Sequence, residues 1–490
     1  MNIADTITRH ASERPYSVAI IENDAVVHYG TLERAVWAAA VHLRQSGIVP
    51  GEVVGVSLPH SALYLVAVYA LARIGAVYVS LPLSDPLPMR AAYATRFGVK
   101  WVVAASDNAG PSGVPTVVLQ PGHLSKPSVP IPADLRFAGG DHPWFIRRTS
   151  GTTGEAKGVV YTHRADLREF QSRAAYYPGP DDRYLAIIDM YMSVGLLHCA
   201  KTLFGGGAIV IAKLPTPAQM VIDLIDRYAI TRLVLAPNHF DTLLPLSPRE
   251  GCRCPTIKEV TVTGMAVPEK LRREVRHRFS PNLWIRYGIN EVSPVTLADA
   301  AMQEKFPETV GAVLPGVELE IVDEHDRPVP RGEPGRIRVR TPWMPTGYLN
   351  LPGAADRVFR NGWAYLGDIG VLSPEGMLFL KGREDDMMNF DGIKIMPADI
   401  EEALLQHPAV KEAAAFPASS QRHQHIPMAA VTISAAVTPE VLLAHARQLL
   451  GVRAPLLISI EQALPRNAMG KVVKRELALR LEEKLPASLR

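Results

Sequence analysis

A chain of 490 residues is too long for one hydrophobic core, so two or more domains are expected. With 47% hydrophobic and 21% charged residues it has the composition of an ordinary soluble globular protein, which excludes disordered and fibrous classes. The 52 Lys+Arg nearly balance 49 Asp+Glu, a formal charge of +3, so the composition gives no electrostatic case for a nucleic-acid partner.

The N-terminal stretch MNIADTITRHASERPYSVAI mixes acids, a histidine and a proline where a secretory leader needs an apolar core, so a cytoplasmic protein is expected. LERAVWAAAVHLRQSG carries helical spacing, with Gly47 as its C-terminal stop. VVGVSL, AVYVSL, WVVAA, AIVIA and RLVLA read as short buried strands. The longest apolar run, LYLVAVYALARIGAVYVSL, contains Arg73 and Gly75 and predicts a buried helix running into a strand, with no membrane span. Only Cys199, Cys252 and Cys254 occur, too few to staple a fold of this size. Cys252 and Cys254 form a C-x-C without a second cluster and read as incidental thiols. After about residue 316, VELEIVDEHDRPVPRGEPGRIRVR predicts an antiparallel or barrel-like subdomain. From about residue 387, PADIEEALLQHPAVKEAAAF and TPEVLLAHARQLL predict helices between strands in a small α+β domain. The fold class expected is therefore α/β: a large N-terminal domain of α/β layers with a β-barrel-like subdomain, then a small C-terminal α+β domain. KGREDDMMNF, residues 381–390, is the candidate boundary.

RRTSGTTGEAKGVVYTH, residues 147–163, concentrates the chemistry. A nucleotide-binding P-loop, G-x-x-x-x-G-K-[ST], would need Gly at 156 and Ser or Thr at 158, where the chain has Ala156 and Gly158. It remains an anion device. Gly151, Gly154 and Gly158 let backbone N–H groups face a phosphate, Thr149, Ser150, Thr152 and Thr153 add hydroxyls, and Lys157 adds a point charge.

That stretch resembles the phosphate loop of the adenylate-forming enzymes: acyl-CoA synthetases, adenylation domains of peptide synthetases, and luciferases. Further landmarks follow in order: WIRYGINEVSP (284–294), GWAYLGDIGVL (362–372), GREDDMMNFDGIKIMPADIE (382–401) and LPRNAMGKVVKREL (464–477). The resemblance implies ATP-dependent activation of a small carboxylic acid to an acyl-AMP, then transfer to a pantetheine thiol. A carboxylate approaching the α-phosphate meets like charge, so cations must neutralise the attacking oxygen and the leaving pyrophosphate. By resemblance, loop 149–158 holds the β- and γ-phosphates, Glu291 ligates Mg²⁺, and Lys471 bridges carboxylate and α-phosphate. Tyr287 and the adjoining Gly288 face adenine, Asn290 stands near the α-phosphate where Thr is usual, Asp368 takes the ribose hydroxyls, and Arg383 assists it. Ala156 replaces the loop's usual proline and Leu366 a usual threonine, while Asn389 stands where many members have lysine.

The resemblance further implies a domain 1–381, a hinge at 382–386 centred on Asp385, and a mobile domain 387–490 that swings Lys471 away for the thiol step. Gly392 and Lys394 would then border the thiol tunnel. CoA is the expected acceptor. A carrier protein supplied in trans, loaded with an amino or other acid, is the alternative. The acid pocket should draw on Asp189, Met192, Asn238, Gly264 and Met265. Asp189 either meets a substrate ammonium or is hydrogen-bonded in the scaffold with Met192 at the pocket wall. An oxidative luciferase-like enzyme and a non-catalytic adenylate sensor are the other classes, and retention of Lys157, Glu291, Asp368 and Lys471 weighs against the sensor.

Overall fold

The computed structural model describes the chain apart from residues 108, 109, 112, 124–134, 136, 138, 151–155, 249, 352, 354–357, 385, 391, 392, 421–423, 467–471 and 483–490. For residues 150, 156, 389, 394, 419, 420 and 424 only the backbone is described. The chain divides into two compact units, residues 1–319 with 339–364, and residues 320–338 with 365–490.

The first unit holds two sheets. In one, Leu283–Ile289, Glu259–Val262, Arg232–Leu235, Arg183–Ala186, Ala208–Ile211 and Val18–Glu22 lie side by side in that order, all parallel. Ser293–Ala298 and Ala25–His28 flank them as antiparallel neighbours. The other has the order Thr116–Val118, Val99–Ala104, Val53–Ser57, Val77–Ser80, Pro143–Ser150, Ala156–Thr162, and its last two strands form an antiparallel hairpin. The parallel strands are short and buried on both faces, which explains their unbroken apolar sequences.

Helix Ala62–Arg73 is buried from Tyr64 to Arg73. A helix apolar all round must be covered all round, and this one shares a single core with side chains of both sheets and of helices Tyr29–Gln45 and Ser193–Gly205. Helix Tyr29–Gln45 ends at Ser46, followed by Gly47 at φ +105°, the positive φ its sequence foreshadows. Among the described residues no helix is long and apolar enough to cross a membrane.

Mostly within the second unit, Glu318–Val322, Pro334–Arg340, Trp363–Leu372 and Met377–Arg383 are sheet neighbours in that order, and the last two are antiparallel. A further sheet has the order Ile393–Ile395, Met388–Phe390, Gln424–Ile433, Val410–Ser420, with Leu457–Ile460 parallel to Gln424–Ile433. Its faces pack differently: Ala415, Ala429 and Val431 join helices Pro397–Leu405 and Pro439–Leu450, whereas Phe416, Met428 and Ala430 join helix Lys474–Glu482. That two-sided burial accounts for the continuous apolar text AAAF at 413–416.

A buried charge cluster joins helices His163–Ser172 and Ser193–Gly205 in the first unit. Glu169 receives Arg173 Nη1 at 3.0 Å, Lys201 Nζ at 3.5 Å and the Tyr177 hydroxyl. Burial pushes the Glu169 carboxyl up, but the two cations outweigh it and hold it below its ordinary value. Burial pulls Lys201 down to about 8. Removing the shared anion by Glu169→Ala leaves two buried cations unpaired and should cost about 3–5 kcal/mol in urea unfolding. Between pH 8 and about 10.4 an unfolded lysine keeps the proton that folded Lys201 has released, so this residue makes stability rise with pH. The wild type should therefore gain stability relative to Lys201→Met between pH 8 and 10; a pH-independent difference in urea midpoints would contradict the assignment.

Candidate active site

Parallel strands deliver their following loops to one edge of the sheet, where ligands of open α/β sheets bind. Val262 pairs with Leu235 and Ile285, and Leu233 with Leu185, so three strands end together while Leu283–Ile289 runs four residues past that edge. Asp189 lies three residues beyond Ala186, Asn238 three beyond Leu235, Gly264 and Met265 two and three beyond Val262, and Asn290 and Glu291 just beyond Ile289. Topology alone thus gathers the expected acid-pocket residues with the Y-G-x-N-E segment. Asn238 and Gly264 are exposed, while Asp189, Met192 and Met265 are half-buried. Gly264 has φ +89°.

The hairpin Pro143–Ser150/Ala156–Thr162 carries the phosphate-loop motif and clamps the turn bearing Asn290 and Glu291. Tyr161 Oη donates to Asn290 O at 3.0 Å, and Asn290 Nδ2 donates to Arg148 O at 2.9 Å. Arg147 Nη1 donates to Ser293 Oγ at 2.9 Å, with its guanidinium 3.4 Å from the centre of the Tyr161 ring. Arg147 is 1% exposed and ion-paired with buried Asp166, which also accepts from Trp144 Nε1 at 2.9 Å. One N–H of the Asn290 amide is thus used by the hairpin. Thr149 pairs with Lys157 across the ladder, and Ser150 with Ala156. Gly151, Thr152, Thr153 and Gly154 lie outside the described residues.

Glu291 is 8% exposed. Its Oε1 accepts from Tyr348 Oη at 2.7 Å. Lys157 Nζ lies 5.0 Å from the centre of the Tyr348 ring. One tyrosine therefore connects the motif lysine to the buried carboxylate. A hard anionic oxygen held this way suits Mg²⁺. Tyr287 occupies the strand opposite Thr296, and the register shifts between Tyr287 and Gly288.

Asp189 is held by its own turn: Oδ1 accepts from Tyr191 N at 3.1 Å. His60 Nδ1 is 4.0 Å away, but it accepts from Met190 N at 3.3 Å while Nε2 faces Ala186 O at 3.1 Å. That pattern fixes the neutral imidazole, and burial lowers its pKa further. Desolvation likewise raises the Asp189 carboxyl.

In the second unit Asp368, 9% exposed, pairs in register with Arg383. Arg383 Nη1 donates to Asp368 Oδ1 at 3.2 Å and to Leu366 O at 2.9 Å, so the two residues assigned to the ribose meet. The backbone of Lys394 lies in strand Ile393–Ile395. Asp385, Gly392 and Lys471 lie outside the described residues. Cys252 Sγ donates to Phe279 O at 3.0 Å, and all three thiols are free. Sequence reasoning passed over Tyr348, Arg147 and Asp166. Two adjacent arginines in the apolar strand PWFIRRTS were the available signal for Arg147; nothing local marked Tyr348.

A hairpin carrying the phosphate-loop motif and a buried carboxylate on the turn it clamps fit an adenylate-forming architecture. The chain belongs to the AMP-binding enzyme family, whose main domain matches residues 7–349 and whose C-terminal domain matches residues 399–471. It is 28% identical over 354 residues to a long-chain-fatty-acid–CoA ligase of Escherichia coli O6:H1, covering 71% of this chain and 62% of that protein. The chain spans 60% to 62% of the length of the long-chain-fatty-acid–CoA ligases of enterobacteria that it matches. It is 27% identical over 512 residues to an indoleacetate–CoA ligase of Aromatoleum aromaticum, covering 97% of this chain and 98% of that one. ATP-bound MatB from Rhodopseudomonas palustris superposes with a TM-score of 0.88 at 25% identity, covering 99% and 100% of the two chains.

A Cβ at Gly288 would lie 2.5 Å from Ser293 O and 2.7 Å from Pro294 Cα, both backbone atoms that cannot turn aside. Gly288→Ala should cost about 1–3 kcal/mol through overpacking and weaken ATP binding by displacing the adjoining Asn290–Glu291 turn. Unchanged melting and unchanged ATP affinity would show that this turn is not tightly held.

Proposed function

We propose that the protein is an AMP-forming acid–CoA ligase. The observation that carries this reading is the buried Glu291 carboxylate, linked through Tyr348 to Lys157 of the phosphate-loop motif at the C-terminal edge of the parallel strands. Family membership and the near full-length likeness to an indoleacetate–CoA ligase support it. In the first half-reaction a carboxylate oxygen of the acid attacks the α-phosphorus of ATP and the bond to pyrophosphate breaks. Lys157, with the loop 149–158, neutralises the departing pyrophosphate, and Lys471 neutralises the approach of the acid. Glu291 would hold Mg²⁺, which supplies further neutralisation of phosphate charge. Asp368, positioned by Arg383, offers two acceptor oxygens to the ribose diol.

In the second half-reaction the thiol sulfur of CoA attacks the acyl carbonyl, AMP leaves and the thiol proton passes to solvent. We assign 387–490 to a mobile domain hinged at 382–386 about Asp385, which withdraws Lys471 and brings Gly392 and Lys394 toward the thiol. CoA is favoured over a carrier protein because the curated relatives are named as CoA ligases. Asp189 is given to the scaffold, since a turn N–H already occupies Oδ1 and the neighbouring His60 is neutral; this favours an acid without an amino group. A cytoplasmic location fits ATP and CoA as substrates.

AMP release dependent on both acid and CoA, assayed over fatty, aryl and amino acids, tests the reading. Fatty or aryl acids should support turnover. Lys471→Ala should reduce adenylate formation by at least about 100-fold, the scale of losing one transition-state cation, while still converting a supplied acyl-AMP and CoA to the thioester. Equal loss of both steps would contradict the two-state hinge, and AMP release only with amino acids would return Asp189 to an ammonium role.

A further inference from the structure

Tyr348 is the one residue described above that touches both ends of the phosphate apparatus, and its placement is built in. Its backbone bridges Val159, and Leu349 N donates to Gly158 O at 2.8 Å, so this segment is fastened to the strand that carries Lys157. Its ring packs with Val159 and Tyr161, and with Phe359 edge-on at a centroid distance of 5.7 Å. The ring is thus held by neighbours other than Glu291. A carboxylate oxygen can only accept, so the hydroxyl 2.7 Å from Oε1 donates to it and dictates which oxygen of Glu291 is occupied. Oε2 meets no donor among the described residues and is the oxygen left for a cation.

We propose that Tyr348 is a positioning residue for the metal-binding carboxylate. Its hydroxyl pins Oε1 and presents Oε2 to Mg²⁺, while its ring face receives Lys157 and keeps the lysine in register with the same carboxylate. This rests on the reading of Glu291 as the Mg²⁺ ligand given above. The proposal separates the two halves of the tyrosine: the ring organises Lys157, and the hydroxyl organises the metal site.

Tyr348→Phe tests that separation, because it keeps the ring and deletes only the hydroxyl. ATP affinity is measured by calorimetry on the full chain, first in EDTA and then against free Mg²⁺. In EDTA the variant should bind ATP as the wild type does. The free Mg²⁺ giving half of its maximal gain in ATP affinity should rise by about tenfold, the scale of one lost hydrogen bond to a charged group. In a Glu291→Gln background the further change Tyr348→Phe should alter the Mg²⁺ requirement by less than about twofold, since its effect passes through the carboxylate. Tyr348→Leu, which removes the ring as well, should weaken ATP binding even in EDTA. Equal weakening of ATP binding by Tyr348→Phe with and without Mg²⁺ would overturn the proposal, as would a full tenfold effect in the Glu291→Gln background. If Glu291→Gln alone leaves the Mg²⁺ requirement unchanged, the reading of Glu291 as ligand fails, and the proposal with it. A shifted requirement in Glu291→Gln but not in Tyr348→Phe would sink the positioning role alone.

Discussion

A carboxylate that is 8% exposed, on a turn between two strands, is the constraint on which the candidate site depends. An isolated buried charge costs several kcal/mol and would normally be neutralised or expelled. At Glu291 a donor meets the carboxylate, and the turn that carries it is held from two sides. Tyr161, Arg147 and the Arg148 carbonyl hold the turn from the hairpin side, and Tyr348 supplies the donor. Arg147 in turn needs Asp166, and Asp166 needs Trp144, so the site's geometry is anchored in the buried core of the hairpin.

The same logic explains why function is divided among structural elements. Lys157, proposed to neutralise phosphate charge, and Glu291, proposed to hold the metal, are set on the hairpin and on the turn it clamps. Groups proposed for the acid lie on loops beyond parallel strands, where exposed Asn238 and Gly264 can change without disturbing the sheet. In the second unit the Asp368–Arg383 pair sits across an antiparallel ladder, and the neighbouring Gly367 has φ +71°, a conformation that favours glycine.

Much of this was legible in the sequence. Strand runs such as AIVIA and RLVLA became the buried parallel strands Ala208–Ile211 and Arg232–Leu235, because two-sided burial demands continuous apolar text. The apolar run after residue 62 became helix Ala62–Arg73 and strand Val77–Ser80, broken at Gly75 with φ +74°. Family landmarks carried the polar residues. The failures have one cause: a local motif does not say which distant group its side chains will be used by. Tyr348 meets Glu291 across 57 residues, and the meeting depends on a bridge to Val159 that no periodicity reveals. Asn290 donates to the Arg148 carbonyl across 142 residues, a contact the motif does not announce. Asp189 allows two readings in sequence because the tautomer of His60, set by Met190 N and Ala186 O, is a tertiary fact.

The central claim is that this site joins a carboxylate to the α-phosphate of ATP before any thiol is involved. Exchange of labelled pyrophosphate into ATP, measured with Mg²⁺ and a carboxylic acid and with every thiol withheld, tests it most directly. The account predicts exchange that requires the acid. Exchange that appears only when CoA is added, or none across fatty, aryl and amino acids in protein shown to bind ATP, would contradict it.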